Sequence, residues 1–264
     1  MARLTGPISF TGKLQNLSAS KRKGSKHIIL QTRYGPSKHD IDTKPSYANT
    51  KRENKEFGGR STASKWIRDG YYALRGILDP KNLNNLNALL MPIQLLDRVS
   101  AYGKRSVALS SARGLLEGFN INEWHPFDSV ITNPIEAAIT KEEFKASLTI
   151  PALLPQVNFF APTQHPFFRI VACLSLVPDL YCNEPKYRPM EGYEHVHPAV
   201  VKTQWMAVQA GSEVINLELS MPQLPPGDHY SLVLTIGMEQ GTAKSNTLIK
   251  GVKYAGAGKI LKVG

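Results

Sequence analysis

The chain is poor in the residues that staple or cross membranes. Of 264 residues only Cys173 and Cys182 are cysteines, so one disulfide is the most that can form and a disulfide framework is excluded. Two thiols are ordinary in a reducing compartment. No run approaches the roughly 20 consecutive apolar residues of a membrane-spanning helix. The opening MARLTGPISFTGK is broken by Gly and Pro before it reaches the length of a signal peptide's apolar core. These absences predict no membrane partner. They also predict a chain made and kept in the cytoplasm, or one that leaves it inside an assembly or by lysis.

Catalytic signatures are equally scarce. GVKYAGAGKILK, residues 251–262, has the look of a phosphate loop, but no glycine stands at the required spacing ahead of Gly258, and Lys259 is followed by Ile260 rather than Ser or Thr. The dinucleotide fingerprint fails at Leu261, where its third glycine belongs. Cys182, His195, His197 and His229 lack the paired spacing of a zinc site. There is no G-x-S-x-G elbow and no H-E-x-x-H, and Glu142-Glu143 reads as a solvated pair at the start of an element. The expectation is a protein that is not an enzyme and that carries no cofactor or metal.

What is present is an apolar share of 42%, enough for a core without staples, and a strongly asymmetric charge. The formal net charge is +11. Residues 1–75 hold 16 Lys and Arg against 5 Asp and Glu, whereas residues 76–264 hold 16 of each. Such a basic end suits an acidic partner, whether nucleic acid or an acidic surface on a neighbouring subunit.

Along the chain, residues 7–33 read as a β-hairpin or small meander. KGS supplies its turn, with Gly24 free to take positive φ, and HIILQTR is a β-branched apolar strand able to pair. Residues 34–45 read as loop. SYANTKRENKEFGG predicts a short helix ending at Gly58-Gly59, and STASKWIRDGYYALRGIL a second one capped by Ser61 or Thr62. Trp66, Ile67, Tyr71, Leu74, Ile77 and Leu78 take the spacing of its buried face. Leu83, Leu86, Leu89, Leu90, Ile93, Leu96 and Val99 mark a third helix, which Pro92 should kink or end at Met91.

Beyond Ile139 the pattern turns to β. Six apolar or alternating runs follow: EFKASLTIPAL, PFFRIVACLSLVP, AVVKTQWMAVQ, EVINLELSMPQL, HYSLVLTIGM and TLIKGVKYAG. Pro, Gly and Asp turns separate them, among them the turn LPPGD. The expected fold is α+β, an N-terminal β-hairpin and helical segment followed by an antiparallel immunoglobulin-like β-sandwich. Residues 1–45 would be a basic hairpin arm, 46–118 a helical region and 119–264 the sandwich.

The candidate contact residues are Lys21, Arg22, Lys23, Lys26, Arg33, Lys38, Lys44, Lys51 and Arg52, with Lys55 and Arg60 beyond them. They suit phosphates, with Tyr34, Tyr47 and Trp66 as stacking partners. Sparse aromatics, the fit of Trp66 to a helix core face, and the acids Glu53 and Glu56 among the cations favour a solvated or protein-docking face instead.

The string from MARLTGPISFTGK to KRENKEFGG resembles the N-terminal region of an uncharacterised family common in Bacteroidota genomes and their mobile elements. The shared features are a glycine-punctuated hairpin, a K-x-G-type turn, an Arg-bearing strand, and then Arg52, Asn54, Glu56 (displaced one residue by Lys55), Phe57 and Gly58. LLEGFNIN, residues 115–122, is similar to a short Gly-Phe signature in the same proteins. Ser245, Asn246, Thr247 and Gly251 resemble the end of a C-terminal sandwich in related domains of unknown function. The resemblance implies a non-enzymatic building block of a virion-like or filament-like assembly and brings no catalytic residues. The expected function is a self-assembling structural protein whose basic hairpin docks on a neighbouring copy. The alternatives are a nucleic-acid-associated protein using the same segment, or a sandwich that binds carbohydrate or protein.

Overall fold

In the computed structural model, residues 2–4, 9–22, 25–32, 35–193, 196–222 and 227–264 are described. Five sequence features fall outside them: the turn at Gly24, the cations Lys23 and Arg33, Tyr34, His195, and the prolines Pro225 and Pro226 of the LPPGD turn. The chain divides into two compact units, Met1–Lys51 and Arg52–Gly264.

The first unit holds an antiparallel sheet of four short strands: β1 (Ala2–Leu4), β2 (Gly12–Leu14), β3 (Leu17–Lys21) and β4 (Ile28–Thr32). Their order is β1-β4-β3-β2. The hairpin read from the sequence is therefore the pair β3 and β4, but HIILQTR is not an open strand. It forms β4, flanked by β1 on one side and β3 on the other. The unpaired edges belong instead to β1 and β2, of three residues each. Residues 34–45 are not all loop. Helix α1 (Lys38–Thr43) starts from a capping box in which the Ser37 hydroxyl accepts from the Asp40 N–H at 3.0 Å and the Asp40 carboxylate accepts from the Ser37 N–H at 3.0 Å.

Helix α2 (Ala48–Gly70) is one continuous element, not two. Two adjacent glycines weaken a helix by about 1 kcal/mol each relative to alanine, which is too little to break it when packing requires the absence of a side chain. At Gly59 it does: a Cβ there would stand 2.7 Å from Cε1 of the Tyr187 ring. Helix α3 (Asn82–Leu95) likewise runs past Met91, with Pro92 in its last turn. Ile67, Tyr71, Leu74, Ile77, Leu78, Leu86, Leu90 and Ile93 are buried as their spacing predicts, while Trp66 is only half-buried. Leu96 and Val99 are not core residues. They lie beyond the helix, and Val99 is 98% exposed.

The rest of the second unit is built on antiparallel strands. After a four-residue helix, α4 (Phe127–Val130), come β5 (Glu136–Thr140), β6 (Lys145–Ile150), β7 (Phe167–Pro178), β8 (Tyr181–Asn183), β9 (Lys186–Arg188), β10 (Ala199–Lys202), β11 (Met206–Ala207), β12 (Ile215–Ser220), β13 (Tyr230–Ala243) and β14 (Ile249–Val263). The main sheet has the order β10-β7-β13-β14, with β11 also on β7, and a three-stranded sheet has the order β12-β6-β5. All six predicted runs become strands; β5, β8 and β9 are additions.

Alternation along β7 explains how the layers stack. Phe168, Ile170, Ala172, Leu174 and Leu176 join one core with Leu148 and Ile150 of β6 and Leu217 and Leu219 of β12. Val171, Cys173 and Val177 point the other way, into a second core with Ile67, Tyr71, Leu86 and Leu90 of the helices. The main sheet is thus covered by the small sheet on one face and by helices on the other. Its central strand β13 is buried at every position from Tyr230 to Gly241.

Candidate functional site

The N-terminal unit carries the charge that the sequence singles out. Residues 1–51 hold ten Lys and Arg and two Asp and Glu. Lys21 ends β3, Arg22 follows it and Lys26 precedes β4, so these three exposed cations gather at one end of the hairpin. Around that turn the Ser25 N–H donates to the Arg22 carbonyl at 3.0 Å. Lys38 is exposed at the start of α1.

The remaining candidates are engaged within their own units. Lys44 pairs with Asp40 at 2.5 Å, and this contact, with those from Ser37, holds the Asp40 carboxyl well below the usual carboxylate range. Lys51 Nζ reaches the Asp42 carbonyl at 3.5 Å. In the second unit the Arg52 guanidinium lies 5.8 Å from the centre of the Tyr102 ring. Lys55 pairs with Glu184 at 3.0 Å, and Arg60 Nη1 donates to Gln94 Oε1 at 2.7 Å. These contacts occupy the side chains of Lys44, Lys51, Arg52, Lys55 and Arg60. Of the candidate residues, Lys21, Arg22, Lys26 and Lys38 are exposed and have no partner among the described residues; Arg3 and Lys13 of the same unit are exposed as well.

The same unit has a second property that charge counting misses. In an antiparallel sheet directly opposed residues share a face. The register sets Leu4 opposite Ile28, Leu30 opposite Ala19, and Leu17 opposite Leu14. One face is therefore mostly aliphatic: it carries Leu4, Leu14, Leu17, Ala19, Ile28 and Leu30, with Thr32 opposite Leu17 and Lys21 opposite Ile28 at its margins. The other carries Arg3, Lys13, Ser18, Ser20 and Gln31, with Ile29 its only aliphatic. Of the aliphatic face only Ala19 is fully buried, at 3% exposure, and Leu14 is 58% exposed. The signal was present in the alternation of LQNLSAS and HIILQT, but it is visible only once the register is known.

The acids among the cations also find a structural role. Glu56, 1% exposed, accepts two hydrogen bonds from Arg105, at 2.7 Å from Nε and 2.5 Å from Nη2, and one from the Gly103 N–H at 2.8 Å. Burial disfavours its ionised form, but the Arg105 guanidinium and the Gly103 N–H outweigh that, and its carboxyl lies below the usual range. Gln94 completes the cluster, donating to the carbonyls of Glu56 and Arg105. Glu53 accepts from the Tyr102 hydroxyl. These contacts tie the loop after α3 to α2.

Both cysteines are free, and burial pushes the Cys173 thiol up to about 12, which leaves it unreactive as a thiolate. His229 shares a hydrogen bond of 3.0 Å with the Tyr181 hydroxyl. Among the described residues no group of three or more His, Cys, Asp or Glu is placed to hold a metal ion, and no helix is long and apolar enough to cross a membrane. No family model, no curated protein and no solved structure matches the chain.

Proposed function

We propose that this protein is a structural subunit that assembles with copies of itself, using its N-terminal unit as the docking element. The observation that carries the reading is the half-uncovered aliphatic face of the four-stranded sheet. A small sheet gains independent stability by packing an apolar face against something, and the described residues of this unit bury one small side chain completely. A neighbouring subunit supplies the missing cover, and the cations Lys21, Arg22 and Lys26 at the hairpin end orient the encounter. The three-residue edges β1 and β2 offer unpaired backbone groups for strand addition.

For the body, an immunoglobulin-like sandwich is the reading that the strand orders favour. Lettering β5, β6, β7, β10, β12, β13 and β14 in chain order as A, B, C, C′, E, F and G makes the sheets A-B-E and C′-C-F-G. The resemblance of the N-terminal string to proteins of Bacteroidota mobile elements agrees with a building block of a filament, tube or virion-like particle.

Removing residues 1–45, which leaves α2 whole, tests this by light scattering coupled to size exclusion. The full chain is expected to run as an assembly and the truncated chain as a monomer. Equal masses would sink the proposal. The exposed cations also sustain a second reading, nucleic-acid binding through the hairpin end. It predicts retention on DNA at low salt and a log-linear loss of affinity as salt rises.

A further inference from the structure

The connection between β6 and β7, residues 151–166, displays apolar side chains on a hydrogen-bonded turn. The Leu154 carbonyl accepts from the N–H groups of Val157, Asn158 and Phe159, each at 3.1 Å, and the Leu154 N–H donates to Asn158 Oδ1 at 2.7 Å. The Asn158 amide donates in turn to the Ala152 carbonyl at 2.9 Å. Leu153 and Phe159 are buried, Phe159 with its ring centre 4.6 Å from that of Phe168, and they anchor the turn to the core between the sheets. Leu154, Val157 and Phe160 are left outside, 51%, 69% and 44% exposed. Single exposed apolar residues are ordinary, but three of them on one anchored turn make a contact surface whose ordering cost is already met. Val214 is exposed on the adjoining segment, where Leu153 and Ser212 exchange backbone hydrogen bonds.

The charge around this surface has one sign. Backbone hydrogen bonds tie the turn to residues 130–132, just ahead of β5. Residues 129–140, 146–168 and 203–220, which form the turn and the segments and strands beside it, contain Glu136, Glu213 and Glu218 and no lysine or arginine. All three glutamates are exposed. The cations at this end of the body belong to the main sheet: Lys244 and Lys250 on the β13–β14 hairpin, and Arg169 of β7, which is paired with Glu239 at 2.7 Å. An exposed apolar surface beside acids is the counterpart of the N-terminal sheet, whose aliphatic face is half-uncovered and has Lys21 at its margin, with Arg22 and Lys26 at the same hairpin end.

We propose that the turn carrying Leu154, Val157 and Phe160 is the dock for the N-terminal sheet of a neighbouring copy. The aliphatic face of that sheet covers the turn, and the hairpin-end cations meet Glu136 and Glu213. This inference rests on the reading that copies assemble, and it assigns the surface that receives the N-terminal unit.

The test is light scattering coupled to size exclusion on full-length chains over a range of concentrations. Leu154→Ser with Val157→Ser, both at exposed positions, should raise the concentration needed for half-assembly by at least about tenfold. Glu136→Lys with Glu213→Lys, which leaves every apolar residue in place, should raise it by a similar factor, as should Lys21→Glu with Lys26→Glu. Combining the two charge reversals in one chain should restore assembly to within a few-fold of the unsubstituted protein. If the unsubstituted chain assembles and any of the three pairs leaves assembly unchanged, or if the combined reversal fails to restore it, the dock is overturned while self-assembly stands. A monomeric unsubstituted chain would overturn both.

Discussion

The two units of this chain solve the problem of burial in opposite ways. The second stacks helices, a central sheet and a smaller sheet, so that β13 is covered on both faces. The first folds four short strands into an amphipathic sheet and, among its described residues, fully buries only Ala19. Alternating sequence is enough to define a sheet, but a core requires a second layer. Where that layer is not supplied, the apolar face becomes a surface with affinity for something else.

Substitutions can break or sharpen this contrast, and we order them by expected size in denaturant unfolding of the full chain. Glu56→Ala should have the largest effect, about 3–5 kcal/mol of destabilisation, because it strands the mostly buried Arg105 guanidinium and unties the loop after α3. Leu234→Ala, in the core between the sheets, should cost about 2–5 kcal/mol. Gly59→Ala should cost about 1–3 kcal/mol, since its methyl meets the Tyr187 ring. Its neighbour should behave oppositely: a Cβ on Gly58 meets nothing within 4 Å, so Gly58→Ala is expected to stabilise by about 0.5–1 kcal/mol. Leu14→Ala in the first unit should move unfolding by less than about 0.5 kcal/mol while lowering assembly in size exclusion. A Leu14→Ala effect as large as that of Leu234→Ala would erase the distinction between the units.

Acid sharpens it further. Because the folded-state pKa of Glu56 is depressed, its contribution is complete above the ordinary carboxyl value of 4.5 and is lost as pH falls through the lower folded value. Stability measured from neutral pH down past that range should therefore fall, and in Glu56→Ala this part of the fall should be absent.

Much of this architecture was legible in the sequence, for identifiable reasons. The six β runs were readable because a strand buried on both faces is a continuous apolar stretch, as PFFRIVACLSLVP shows, and one buried on a single face alternates, as INLELS of β12 does. The extent of β14 was not, because its glycines and alanines look like turn residues; they serve instead as small contacts, with Gly258 against Ile121. The break expected at Gly58-Gly59 failed because the rule weighs local propensity and cannot see Tyr187, more than a hundred residues away. Leu96 and Val99 matched a helical spacing that outlived the helix itself. In the candidate site, the cations at the hairpin end were legible from Lys21, Arg22 and Lys26. The engagement of Lys44, Arg52, Lys55 and Arg60 was not, since most of their partners lie far along the chain.

The complete burial of β13 bears on how the chain is made. Twelve successive residues from Tyr230 that are buried in the folded state are, before folding, a long stretch prone to pair with a stray strand. Their place in the order of synthesis is protective. Helices α2 and α3, β7 and the three strands of the small sheet all precede β13, so both of its covers have been translated when it emerges. Moving β13 to the front of a circularly permuted chain would reverse that order, and the same final structure would then be reached through an early exposed, aggregation-prone strand.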